Sequence, residues 1–105
     1  MVKNFLLKRG DQLAFTITFT SATPVTAMEF GVKKKYTDDT YSIIKYIGNG
    51  ITKLSDTKYQ IMVPSSDTAG LEIFNYVFDL RIKINNEVKT PLSGKIMVKD
   101  TVFEG

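Results

Sequence analysis

The sequence predicts an all-β fold, an antiparallel Greek-key sandwich of about seven to eight strands with one short helical crossover turn. Three observations predict it. Apolar residues recur at every second position over most of the chain, turn-forming residues punctuate it at short spacing, and helical periodicity is nearly absent. At 105 residues the chain is read as one domain, residues 1–105, whose single core buries roughly 65% of the unfolded surface without disulfide or metal staples.

The strands follow in order. Leu13, Phe15, Ile17 and Phe19 alternate with Ala14, Thr16, Thr18 and Thr20, which gives one large apolar side and one small, threonine-rich side. Met28, Phe30 and Val32 repeat the pattern, as do Tyr59, Ile61 and Val63. The longest row is Tyr76, Phe78, Leu80, Ile82 and Ile84, set against Val77, Asp79, Arg81 and Lys83. Chain reversals are expected at Ala22-Thr23-Pro24, Thr37-Asp38-Asp39-Thr40, Gly48-Asn49-Gly50 and Asn85-Asn86. The asparagine pair predicts a two-residue hairpin, because Asn tolerates positive φ. The segment 64–71 breaks the alternation. It predicts one helical turn with Ser65 as N-cap, crossing between the sheets and delivering Leu71 to the core.

Composition excludes most chemistry. With no His and no Cys, thiol nucleophiles, Ser-His-Asp triads, imidazole acid–base schemes and nearly every transition-metal site are ruled out. Ser65 and Ser66 have no base near them in sequence, Gly48-x-Gly50 lacks the rest of a phosphate-binding motif, and the acidic residues show no calcium-loop spacing. The sequence therefore predicts a non-enzyme with no catalytic residue, no metal and no cofactor. Asp38 and Asp39 are read as turn residues, and Gly10-Asp11 of Arg9-Gly10-Asp11 as a turn rather than an adhesion tripeptide.

Fourteen basic and eleven acidic residues leave +3, too little to drive polyanion binding without local clustering. The basic run Lys33-Lys34-Lys35 alternates in direction along a strand and forms no single patch unless the strand ends there, so nucleic acid is not the expected partner. The three-residue apolar stretch near the N-terminus falls far short of a signal-peptide core, and no apolar run approaches the ~18 residues of a membrane span. Cytoplasmic synthesis and no membrane partner are expected. What remains is surface. The candidate interaction residues are Thr16, Thr18 and Thr20 on the threonine-rich face, Lys33 and Lys35, and the tyrosines Tyr36, Tyr41 and Tyr46; Phe103 is a further candidate exposed aromatic.

Three pieces, in this order, carry a resemblance. They are Gly10-Asp11 opening an alternating strand; Pro64-x-x-x-Thr68-x-x-Leu71 leading to Tyr76-x-x-Asp79-Leu80; and Leu92-x-Gly94-x-x-x-Val98 near the end. Over roughly residues 5–102 the chain resembles the immunoglobulin-like N-terminal domain of upper-baseplate and tail-fibre proteins of phages that infect Gram-positive bacteria. It departs at Asn75, where the family often has glycine, and at Gly105, past which family members usually continue into a shaft or receptor-binding head. The resemblance implies an immunoglobulin-like sandwich and a structural or assembly module. That module is made in the bacterial cytoplasm, resides in the virion, and docks to a tail or baseplate protein or to itself. A carbohydrate- or cell-surface-binding sandwich using the tyrosines is the alternative reading.

Overall fold

The computed structural model describes residues 2–20 and 25–102. The expected turn at 22–24 and the candidate aromatic Phe103 lie outside the described residues. In chain order the elements are β1 (Val2–Lys8), β2 (Leu13–Thr18), β3 (Ala27–Lys33), β4 (Ile43–Ile47), β5 (Gly50–Lys53), β6 (Lys58–Val63), α1 (Ser65–Thr68), β7 (Phe74–Ile84) and β8 (Glu87–Lys99). Strands β1 and β5 were not foreseen. Only Phe5 and Leu7 of β1 turn inward, and β5 is four residues long, too short to show a period.

Hydrogen-bonded neighbours run in the order β1-β8-β7-β3-β4-β5-β6-β2. This strip folds over at the β4–β5 junction into two layers, β1-β8-β7-β3-β4 in front and β5-β6-β2 behind. Side chains prove the folding. Phe15 of β2 lies 5.6 Å from Phe30 of β3, and 5.1 Å from Phe5 of β1 at the opposite end of the strip. Phe78 closes the ring, 5.5 Å from both Phe5 and Phe30. Offset and edge-on ring pairs at such spacing add ~0.5–1.5 kcal/mol each beyond the area they bury.

The alternation read from sequence is the alternation observed. Met28, Phe30 and Val32 of β3, Tyr59, Ile61 and Val63 of β6, and Tyr76, Phe78, Leu80 and Ile82 of β7 are all buried. β7 and β8 form the long hairpin. Its turn is Asn85-Asn86, both at positive φ, 49° and 67°, as a two-residue primed turn requires. β8 is bulged near Pro91, where its register against β7 shifts between Leu80 and Ile82 and proline is tolerated. β1 runs parallel to β8 and places Lys3 opposite Gly94. A Cβ at Gly94 would overlap the Lys3 backbone, so glycine is what admits β1 to the edge.

Two connections differ from expectation. The sequence predicts a reversal at Gly48-Asn49-Gly50, but here the chain kinks from the front layer to the back. Gly48 and Gly50 are both at positive φ, and a short parallel bridge pairs Tyr46 with Gly50 and Ile47 with Ile51. In the crossover, Ser65 is not the N-cap. Pro64 holds that place without a side-chain cap, and its carbonyl accepts the amides of Asp67 and Thr68. The buried residue of this helical turn is Thr68, whose hydroxyl donates to the Asp11 carbonyl at 2.7 Å. That bond ties the crossover to the turn before β2, and Leu71 enters the core as expected.

Candidate interaction surface

The front layer's outer face is set by register. Glu29 of β3 lies opposite Arg81 of β7 and Tyr46 of β4; Gly31 lies opposite Asp79 and Ile44. Arg81 reaches Glu29 at 3.2 Å. Gly31 leaves a gap in this face, and the Tyr41 ring occupies it: a Cβ on Gly31 would stand 2.7 Å from Tyr41 Cε1. The Lys33 ammonium then sits 4.7 Å from the Tyr41 ring centroid and donates to the Asp38 carbonyl at 2.7 Å. A cation over an aromatic face at an exposed site contributes ~0.5–1 kcal/mol.

Around this arrangement lies a shallow depression of ≈ 190 Å³ whose lining includes Lys33, Tyr36, Tyr41, Asp79, Arg81 and Glu29. Tyr36 is 60% exposed and Tyr41 48%. The connection carrying both is shaped by Asp38, whose carboxylate accepts the Lys35 amide at 3.2 Å while its own amide donates to the Lys35 carbonyl. Asp38 is therefore a turn residue, as its sequence context predicts.

The basic run is split. Lys33 turns to Tyr41, and Lys35 is exposed on the connection. Lys34 pairs with Glu72 and lies 5.4 Å from the centre of the Phe74 ring. The hydrogen bond from Lys34 to Glu72, together with that carboxylate's attraction, holds the ammonium above the ordinary lysine range. At the same end of the molecule, beside the last residues of β8, the Arg9-Gly10-Asp11 tripeptide is a turn. Gly10 has φ 91°, the Asp11 amide donates to the Lys8 carbonyl, and Arg9 pairs with Asp100 at 3.2 Å.

Lys33, Tyr36 and Tyr41 are thus brought together. Tyr46 shares their face, opposite Glu29, but does not line the depression. Thr16 and Thr18 are elsewhere: they point outward from β2 in the back layer, with Thr20 exposed just past its end. The candidate residues therefore form two surfaces. Asp79 and Arg81 were legible as a polar strand face, but their meeting with Tyr36 and Tyr41 depends on the β3–β7 register. Among the described residues no three His, Cys, Asp or Glu side chains come together as a metal site would need.

No family model matches the chain, and no curated protein does. Solved structures do. The extracellular domain of the voltage-gated sodium channel β4 subunit, described in parallel homodimers that explain its role in cell–cell adhesion, superposes with a TM-score of 0.51 at 15% identity. The match covers 96% of this chain and 93% of that one. The extracellular portion of mouse CD200RLa gives 0.51 at 8% identity over 95% of this chain and 57% of that one. An extracellular fragment of novel immune-type receptor 11 from Ictalurus punctatus gives 0.50 at 10% identity, covering 100% and 90%. At such identities the likeness speaks to fold alone: this is an immunoglobulin-like β domain, similar in structure to variable-type domains.

Proposed function

We propose that the chain is a non-enzymatic recognition module that docks another structural protein on the outer face of its front layer, in a phage tail or baseplate. The observation that carries this reading is the depression at Tyr36 and Tyr41, where Arg81 is held by Glu29 and Lys33 by the Tyr41 ring. Tyr and Arg are the residues most enriched where protein interfaces concentrate their binding energy. Here Tyr41 and Arg81 are held by local partners, which lowers the entropy lost on docking. The immunoglobulin-like fold supports recognition over catalysis, since the solved structures it resembles include a cell-adhesion domain and an immune-type receptor fragment. The phage setting, and with it residence in the virion, is supported by the sequence motifs alone.

The test is binding to the products of the neighbouring reading frames, with Tyr41→Ala and Arg81→Glu as probes. Binding that weakens tenfold or more in each variant, matching the loss of ~1.4 kcal/mol or more of interface energy, is the expected result. Absence of binding, or binding indifferent to both changes, would reject the reading. The open ring of Tyr36 favours one second reading, a saccharide stacked in the depression. A glycan-array signal abolished by Tyr36→Ala would put that reading first.

A further inference from the structure

The back layer ends in an unguarded strand. β2 pairs only with β6, and among the described residues no strand lies along its other edge. The ladder's parity shows what that edge presents. The Phe19 amide donates to the Thr57 carbonyl, and the register joins Ile17 to Tyr59, Phe15 to Ile61 and Leu13 to Val63. In an antiparallel pair the hydrogen-bonded positions recur every second residue. The odd positions therefore spend their main-chain groups on β6, and Ala14, Thr16 and Thr18 direct their N–H and C=O groups away from it, to the open side.

Natural sheets guard such edges with lysine, proline, bulges or a covering segment. β1, at the other end of the strip, carries Lys3 and Lys8. β2 has the sequence Leu-Ala-Phe-Thr-Ile-Thr, with no charge, no proline and no register break. Its outward side chains are small and neutral, and its inward Phe15 and Ile17 are only partly buried.

We propose that β2 pairs antiparallel with β2 of a second copy of this chain, centred on Thr16, so that the two back layers join into one continuous sheet. A second copy fits because the edge is self-complementary. Thr16 would face its own counterpart and Ala14 would face Thr18 of the other chain, with no like charges opposed. Threonine pairs across strands are favourable, and about six main-chain hydrogen bonds would form. The same register sets Phe15 beside Ile17 of the other copy, completing the burial both lack. A charged partner strand would gain nothing from an edge without charge. The strand is short and stable interfaces commonly bury ~1,200–2,000 Å², so the dimer is concentration-dependent. The inference stands apart from the proposed docking face, which lies on the other layer.

Sedimentation equilibrium over a wide concentration range tests it, with Thr16→Lys and Thr16→Pro as variants. Thr16→Lys opposes two ammonium groups at the dyad. Thr16→Pro deletes an outward N–H that no intramolecular bond uses, at an edge where proline is tolerated. The wild-type protein is expected to shift from monomer to dimer as concentration rises. Both variants are expected to stay monomeric with an unchanged circular dichroism spectrum and unchanged front-face binding. A wild-type monomer at every concentration overturns the proposal, as does a dimer that survives Thr16→Lys or one abolished instead by Arg81→Glu. If Thr16→Pro does not fold, Thr16→Lys decides alone.

Discussion

The Tyr76 hydroxyl accepts a hydrogen bond from the Glu72 amide at 3.0 Å and donates one to the Glu72 carbonyl at 3.2 Å. The ring is buried at the start of β7's inward row, so one side chain anchors the core and clasps the end of the crossover that delivered Leu71. Immunoglobulin sandwiches use a tyrosine at this corner in the same way. The two-residue alternation places Tyr76 in this inward row, and the clasp closes on Glu72, just past the helical crossover.

Tyr76→Phe keeps the ring and removes both bonds. Each is worth ~0.5–1.5 kcal/mol net, so the expected loss is about 1–3 kcal/mol. In urea the midpoint falls while the slope is unchanged, since the surface exposed on unfolding is the same. A midpoint unmoved by the change would show that the clasp contributes nothing.

What could be read from the sequence was whatever period and local chemistry encode. The inward rows of β2, β3, β6 and β7 follow from two-residue alternation, and Asn85-Asn86 follows from the φ demands of a primed turn. Long-range pairing was not encoded locally. Nothing in Val2 to Lys8 announces a parallel partner, and nothing near Gly48 tells a reversal from a change of layer. The candidate site splits the same way: Tyr36, Tyr41 and Lys33 are close in sequence, whereas Asp79 and Arg81 join them only through register. The aromatic core shows a similar limit. Phe78 stands two residues after the corner tyrosine, where antibody domains carry the second cysteine of their inter-layer disulfide. Four phenylalanines meet there instead, a solution visible only once the layers are stacked.

Thr68 supplies the second clasp. Its hydroxyl donates to the carbonyls of Asp11 at 2.7 Å and Ser65 at 3.2 Å, and it is fully buried. Thr68→Val preserves shape and deletes the donor, leaving the Asp11 carbonyl without that bond at a cost of about 1–2 kcal/mol. Hydrogen exchange should quicken at the 9–12 turn and in α1 together, because the bond joins them. Quickening in α1 alone would contradict the link.

Gly94→Ala places a methyl group into the Lys3 backbone. The β7–β8 hairpin does not need β1 to stay paired, so the strain is expected to release by detaching β1. Amides of β1 should lose protection while those of β7 keep it, and overall stability should fall by roughly 1–3 kcal/mol, as overpacking usually costs. Uniform loss of protection across the sheet would show instead that β1 is integral to the cooperative unit.

The Lys34–Glu72 pair predicts an alkaline effect. A lysine pKa raised on folding contributes stability that is fully present below the unfolded value near 10.4 and is lost as pH rises through the folded value. Neutral stability should therefore be insensitive to pH on this account. An NMR titration of the Lys34 ε-methylene is expected to show a higher midpoint in the native sequence than in Glu72→Gln. The gap should narrow in high salt, because the pair is exposed. Equal midpoints would mean that the two side chains do not stay paired in solution.

Gly31 links the fold to the proposed docking face. In Gly31→Ala the new Cβ meets Tyr41 Cε1 at 2.7 Å, and because the obstacle is a surface ring on a connecting loop, the ring should yield rather than the sheet. Stability should change by less than about 1 kcal/mol, since alanine is at least as good a strand residue as glycine. The Lys33 ammonium would lose its aromatic neighbour. Upfield ring-current shifts of the Lys33 ε-methylene should vanish, and binding at the front face should weaken as it does in Tyr41→Ala. Because the sheet is left intact, loss of the ring-current shift with full retention of binding would separate the Tyr41 arrangement from recognition and move the docking contact elsewhere on the layer.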